Sequence, residues 1–357
     1  HYIGMRFGWT LTCCPDATLV SQYLGPTRPD ALFAVPRIWE KAYATINAFI
    51  AKDMREEFGK ALVKGSEIAD MRANGIDIPK ETLDEFAQVD AKLLAPWRAL
   101  LGLDNCKVAV SGAAPLPVEI LTFFRGLGIP VSEIYGLSET CGPLTWSPNA
   151  QRNGFVGEPI PGEEVALADD GEVLVRGANI FSEYLKDEEK TSEAIDGDGW
   201  FHTGDIGIFD DGQLKIVDRK KELIITAGGK NVSPANLEAH LKTSPYIFNA
   251  FVVGDGQKYL GALIILDPEA LDFFAGMNGL SGKDATFAEL SKHAGIKAEV
   301  EKAVETANSH VSSAESIRKF FILDHEWLPD SDVLTPTMKL KRKIVNEKYA
   351  NEIASMF

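Results

Sequence analysis

Apolar residues recur at three- and four-residue intervals through Ile38, Trp39, Ala42, Ile46, Phe49 and Ile50, which predicts a helix with one buried face from Ile38 to Phe58. A second helical stretch is expected from Leu83 to Leu101. Between them Lys64 to Glu81 is polar and carries Gly65, Gly75 and Pro79, so it reads as a surface segment. At Lys107 the pattern changes. Lys107 to Ser111 reads as a short strand, Gly112 to Pro117 as a turn, and Val118 to Gly126 as a helix whose first turn takes Pro117. Gly128 and Pro130 end that helix, and Val131 to Tyr135 reads as a second strand. Strand, helix and strand in so short a span form a βαβ unit, which makes the two strands parallel.

From Gly162 onward the texture is β. Glu164 to Ala168 and Glu172 to Arg176 flank the turn Asp169-Asp170-Gly171, and Ile206 to Phe209 and Gln213 to Val217 flank Asp210-Asp211-Gly212. The charged run Asp218-Arg-Lys-Lys-Glu222 follows and, in isolation, would be a solvated turn. Beyond it come a strand at Leu223 to Thr226, a turn at Ala227 to Asn231, and a helix capped by Ser233 with Pro234 as its first residue. Strands at Phe248 to Val253, Tyr259 to Leu266 and Ile317 to Leu323, with helix from Thr286 to Ser309, complete an α+β domain. The expected fold class is thus a multidomain chain of α/β and α+β parts. Residues 1–217 hold an α/β unit to about residue 150 and an antiparallel β module over 151–217; residues 218–357 form a separate α+β domain.

Composition narrows the classes. The 357 residues are 45% hydrophobic and 25% charged, an ordinary balance for a chain with a sizeable core. Net charge is −16, which repels a phosphate backbone and argues against nucleic acid as a partner while leaving small anionic ligands open. Cys13, Cys14, Cys106 and Cys141 form no CxxC pair and no zinc spacing, and their scarcity points to a reducing, cytoplasmic setting. No apolar run approaches the roughly 20 residues that span a bilayer. The chain opens at His1 in apolar sequence, which reads as the middle of a domain.

Several segments could carry chemistry. In a parallel sheet, ligands bind beyond the carboxyl ends of the strands, where Gly112-Ala-Ala-Pro115 and Tyr135-Gly-Leu-Ser-Glu-Thr140 both fall. The first would let a flat ring approach bare backbone; the second offers an aromatic face, a hydroxyl and a carboxylate able to serve a phosphate and Mg²⁺. Each is weak alone, since Tyr-Gly is common at strand ends and a Ser-Glu pair usually caps a helix. Two at one edge leave a nucleotide site and a plain structural role about level. In Gly199-Trp-Phe-His-Thr-Gly-Asp205, Asp205 could accept bonds from two ribose hydroxyls. The loop by itself favours a plainer account, with Trp200 and Phe201 in the core and Asp205 capping a strand. Lys339 lies in the basic segment Leu334 to Arg342, where a lone lysine is ordinarily solvated. No Walker loop, dinucleotide glycine fingerprint or HExxH helix is found.

Taken in order, the motifs Ser111-Gly-Ala-Ala-Pro115, Tyr135-Gly-Leu-Ser-Glu-Thr140, Gly199 to Asp205, Asp218-Arg-Lys-Lys221 with Gly228-Gly-Lys-Asn231, and Pro336-Thr-Met-Lys339 resemble the adenylate-forming superfamily of acyl-CoA synthetases, adenylation domains and luciferases. The resemblance implies a large N-terminal domain ending near Val217 and a mobile C-terminal domain. It implies ATP, Mg²⁺ and coenzyme A as substrates and metal, and no prosthetic group. On it, Gly112, Ala113, Ala114, Tyr135 and Gly136 line the adenine site, while Ser138 and Glu139 serve phosphate and Mg²⁺. Asp205 holds the ribose with Arg219, Asp218 and Lys221 mark the hinge, Lys339 stabilises the adenylation transition state, and Gly228 and Gly229 face the thioester-forming site. The helical segment before Val108, Val35-Pro-Arg-Ile-Trp-Glu-Lys41 and the extended C-terminal part are similar to long-chain fatty acid–CoA ligases, for which peripheral membrane contact is compatible. The family's Ser/Thr/Gly-rich phosphate loop is absent from this sequence, so the chain alone is expected not to form acyl-AMP. Two rival expectations stand beside this one: an acyl-AMP ligase serving a carrier protein, and a non-catalytic nucleotide- or acyl-binding homologue.

Overall fold

The structure, a computed structural model, describes residues 2–15, 19–148, 152–328, 331–335 and 339–357. The chain divides into two compact units, one of residues 1–138 and 142–160, the other of 139–141 and 161–357. Among the described residues, no helix is long and apolar enough to cross a membrane.

In the first unit, β1 (Ala31–Ala34), β2 (Val108–Ser111) and β3 (Val131–Glu133) form a parallel sheet in that order. The expected βαβ unit is present, with helix Val118–Gly126 joining β2 to β3. The sequence pattern had not disclosed β1. It is an edge strand of four residues with Phe33 exposed, too short to show alternation. The second strand was expected to run on to Tyr135. Instead β3 stops at Glu133, and Tyr135 opens β4 (Tyr135–Leu137), which pairs antiparallel with β5 (Gly142–Thr145).

The helical stretch expected over residues 38–58 is two helices, Pro36–Phe49 and Arg55–Ala73. The second extends into the segment expected at the surface as far as Ala73 and buries Phe58, Ala61, Gly65 and Ile68. Apart from Gly65 and Ile68 that segment is exposed or half-exposed, as expected. A Cβ on Gly65 would stand 2.1 Å from the Gly126 carbonyl oxygen, and one on Gly126 would stand 2.4 Å from that of Leu62. Glycine on both sides lets two helix backbones touch. The closest approach is made by glycines, which leave no hydrophobic signature, while Phe58 meets Phe123 at 6.2 Å elsewhere between the same helices. Around it Trp39, Ile46, Leu94, Ile120 and Phe124 close the core, with the Trp39 and Phe124 rings edge-on at 5.2 Å.

In the second unit, β6 (Glu163–Leu167), β7 (Glu172–Gly177), β8 (Phe201–Asp210) and β9 (Gln213–Arg219) form an antiparallel sheet that contains both expected hairpins. A short hairpin, β10 (Ile224–Ile225) with β11 (Asn231–Val232), follows. The Ser233 side chain caps helix Pro234–Leu241 by accepting the Asn236 N–H, as the sequence predicts. Next, β12 (Ile247–Val253), β13 (Leu260–Leu266) and β14 (Ile317–Ile322) make a mixed sheet. Every residue of β13 is buried. Leu260, Ala262, Ile264 and Leu266 pack in one cluster with Leu237, Leu241, Ile296 and Val300. Leu263 and Ile265 pack in another with Trp327, Val345 and Tyr349. Coverage on both faces explains why this strand reads as an unbroken apolar run.

Gly65→Ala is expected to destabilise the protein by about 1–3 kcal/mol, because the new methyl must push two helix backbones apart. Urea denaturation checks this; an unchanged midpoint would mean that the helices separate freely.

Candidate nucleotide site

The loops after β2 and β3 lie at the carboxyl edge of the parallel sheet, as expected. A Cβ on Gly112 would come within 2.9 Å of Ile134 Cγ2 and 3.3 Å of the Phe33 ring, so this position accepts only bare backbone. Ala113 holds φ +78°, in the left-handed region that a side chain disfavours. Two hydrogen bonds hold the loop: Ile134 N–H donates to the Ser111 carbonyl (2.9 Å), and Leu116 N–H to Glu133 Oε1 (2.9 Å). Glu133 is buried, and its role as the loop's tether was not read from the sequence. Gly136 is equally constrained, since a Cβ there would stand 2.1 Å from the Gly142 carbonyl oxygen. Gly112, Ala113, Ala114, Tyr135, Gly136 and Ser138 are thus brought to one sheet edge, with Tyr135 half-buried and Ser138 exposed.

The other predicted residues lie in the second unit. Glu139 is half-buried; its Oε1 accepts the Tyr184 hydroxyl (3.0 Å), and its carbonyl accepts the Phe181 N–H (2.7 Å). Burial pushes the Tyr184 phenol up, and its bond to the Glu139 carboxylate adds to that. The Phe181 ring lies tilted against that of Tyr184 at 4.7 Å and meets Phe201 edge-on at 5.4 Å, which connects Glu139 to the first residue of β8. Tyr184 and Phe181 left no signal in the sequence, because their segment has no periodic pattern. The carboxylate oxygens of Glu139 are hard donors suited to Mg²⁺, and among the described residues no hydrogen bond occupies Oε2.

Asp205 does not cap a strand. It lies inside β8, with its residue only 4% exposed, directly opposite Arg219 of β9. The Arg219 Nε stands 3.2 Å from Asp205 Oδ1, while most of the Arg219 side chain is open to solvent. Against β7, the register jumps from Leu174↔His202 to Glu172↔Ile206, so β8 carries two extra residues there. Gly204 takes φ +73° within this bulge. Bulges re-aim side chains, and this one precedes Asp205. Phe201 is in the core, while Trp200 lies under the Arg176 guanidinium at 4.5 Å.

Asp218 is buried at the end of β9. Its Oδ2 accepts the Ser233 hydroxyl (2.5 Å) and the Ala235 N–H (3.3 Å), at the start of helix Pro234–Leu241. Lys221 is exposed. Gly228 and Gly229 form the open tip of the β10–β11 hairpin, where a Cβ on Gly229 would meet nothing within 4 Å.

Of the motif ending at Lys339, residues 336–338 lie outside the described residues. Lys339 itself is exposed, and its backbone exchanges bonds with Thr335, N–H to Oγ1 and carbonyl to N–H, each 2.9 Å. A bridge between Leu334 and Leu340 closes the loop. Three residues on, Arg342 opens helix Arg342–Lys348. It donates to Glu222 Oε2 (2.7 Å) and forks onto both oxygens of Glu238 (3.0 and 2.6 Å). Burial would lower the guanidinium pKa, but Glu238 and Glu222 outweigh that and hold it above its ordinary value.

Residues 1–185 match the family model described as AMP-binding enzyme, and residues 221–357 match that of the AMP-binding enzyme C-terminal domain. The chain belongs to the AMP-binding enzyme family. It is 40% identical over 363 residues to fadD11 of Mycobacterium tuberculosis, covering 100% of this chain and 63% of that protein. It is 43% identical over 336 residues to the long-chain-fatty-acid–CoA ligase FadD15 of the same organism, covering 92% of this chain and 55% of that protein. The chain therefore spans less than two thirds of either relative's length. The adenylation domain of a carboxylate reductase from Mycobacterium chelonae shares the fold, with a TM-score of 0.66 at 21% identity over 97% of this chain and 49% of that one.

Arg342→Ala would leave the buried Glu238 carboxylate with the Val252 N–H but no countercharge, and the half-exposed Glu222 without this partner; it is expected to cost about 3–5 kcal/mol. Chemical denaturation measures this, and a loss below 1 kcal/mol would mean the pair behaves as a surface contact.

Proposed function

We propose that the intact protein activates a long-chain fatty acid in two steps. The fatty acid carboxylate attacks the α-phosphorus of ATP, the bond to the β-phosphate oxygen breaks, and pyrophosphate leaves. The thiol of coenzyme A, losing its proton, then attacks the acyl carbonyl of the mixed anhydride and expels AMP. The observation that carries this reading is Asp205 aimed by a strand bulge and paired with Arg219, one residue after the buried Asp218. The acyl class is supported by identity to the ligase FadD15.

In this reading, Gly112, Ala113, Ala114, Tyr135 and Gly136 take the adenine, and Asp205 with Arg219 takes the ribose hydroxyls. Ser138 and Glu139 would hold phosphate and Mg²⁺, which supplies positive charge to the departing pyrophosphate. Lys339 presents an ammonium to the α-phosphate as charge builds there. Residues 218–357 move as a domain about Asp218 to Lys221, carrying Lys339 away and bringing Gly228 and Gly229 to the thioester step. The enzyme works in the cytoplasm, with its substrate drawn from or near a membrane surface.

Lys339→Ala in the intact protein separates the two steps. Loss of an ammonium that acts on the transition state is expected to slow ATP-dependent acyl-AMP formation about 100- to 1000-fold. Supplied acyl-AMP and coenzyme A should still give thioester at near the normal rate. Equal loss in both steps would refute the domain swing and return Lys339 to a structural role.

A further inference from the structure

The bulge that aims Asp205 is held open by a side chain from the neighbouring strand. Glu172 is buried at the start of β7, where the register to β8 jumps. Its Oε1 accepts the N–H of Gly204, the residue before Asp205, at 2.9 Å. Its Oε2 accepts the Lys220 ammonium at 3.0 Å, and that ammonium also meets Asp170 Oδ2 at 2.5 Å. Lys220 closes the ring through its backbone, because its N–H donates to the Gly204 carbonyl at 2.8 Å. Both peptide groups of Gly204 are thereby fixed, one by Glu172 and one by Lys220. Thr203 Oγ1 completes the bulge by donating to the Val173 carbonyl at 2.8 Å and accepting the Asp205 N–H at 3.1 Å.

A carboxylate is costly to bury beside a strand end unless it is fully used. Burial works to raise the Glu172 pKa, but the bonds from Lys220 and Gly204 outweigh it and keep the group ionised. A bulge needs some acceptor for its displaced N–H. A structural brace could be a neutral serine or asparagine; a carboxylate shared with Lys220 also ties the bulge to the residue next to Arg219.

We propose that Glu172 is a positioning residue for the nucleotide, holding Asp205 and Arg219 in register for the ribose through Gly204 and Lys220. This rests on the adenylate-forming reading. Glu172 touches no substrate; it acts through the two residues beside those that do.

The test measures ATP affinity and steady-state kinetics in the intact protein. Glu172→Ala is expected to raise KM for ATP about 10- to 100-fold while kcat changes by less than about 3-fold, the signature of lost binding common to ground and transition states. Glu172→Gln, which keeps an acceptor for Gly204 but loses the charge, should fall between Glu172→Ala and the unaltered protein. Lys220→Met should raise KM for ATP too, and adding it to Glu172→Ala should bring little further loss, because the two act as one unit. A lowered melting temperature with unchanged KM for ATP would overturn the proposal and leave Glu172 as a brace. Should Glu172→Ala not fold, an unchanged KM in Lys220→Met would overturn it equally. Asp205→Ala is the control: weaker ATP binding there but not in the Glu172 variants refutes this inference alone, whereas no effect in either refutes the nucleotide-site reading itself.

Discussion

The pairing of β8 with β9 is the constraint on which the second unit's candidate site depends. One antiparallel register sets Asp205 against Arg219 and Ile206 against Asp218. A slip of β9 by one residue would put Arg219 and Asp218 on the opposite faces relative to Asp205. The tight turn at Asp211-Gly212, where both residues take positive φ, and the fully buried Leu214 set the ladder as far as Gly207↔Ile216. There it shifts by one residue, and only past that irregularity do Asp218 and Arg219 meet Ile206 and Asp205. The carboxylate of the candidate nucleotide site and the start of the charged run are thus brought together by one ladder.

Much of this was legible in the sequence, and the reasons differ by element. The two hairpins announced themselves because Asp-Asp-Gly turns interrupt alternating strands, and the helix at Pro234 because Ser233 and Pro234 supply its cap and first residue. The parallel strands β2 and β3 were visible through the breaks at Gly112, Gly128 and Pro130. The helix Arg55–Ala73 was concealed past residue 64, since there it buries only Gly65 and Ile68 among polar residues. Strand β1 was concealed by brevity.

The site shows the same division. Asp205, Glu139, Asp218 and Lys339 stand out in the sequence as candidates because ordered motifs mark them. Their supports were not found: Glu133 under the first loop, Tyr184 on Glu139, Glu172 behind Gly204, and Glu238 on Arg342. Each support comes from a segment distant in sequence, and a lone glutamate or tyrosine has no local signature. Helix Arg342–Lys348 shows how far this goes. It opens with two cations at the end where the helix dipole disfavours them, and only Glu222 and Glu238, from elsewhere in the chain, make that start favourable.

The tetrapeptide Asp218 to Lys221 is held from both ends by different parts of the chain. Asp218 grips the start of helix Pro234–Leu241, whereas Lys220 grips β7 and the carbonyl of Gly204. Only Arg219 separates those grips, too short a length of chain to stretch. Any rotation about this tetrapeptide must release one grip entirely before the other parts can turn. A turn at this joint, as proposed above, therefore carries the cost of breaking one set of bonds before it gains any others.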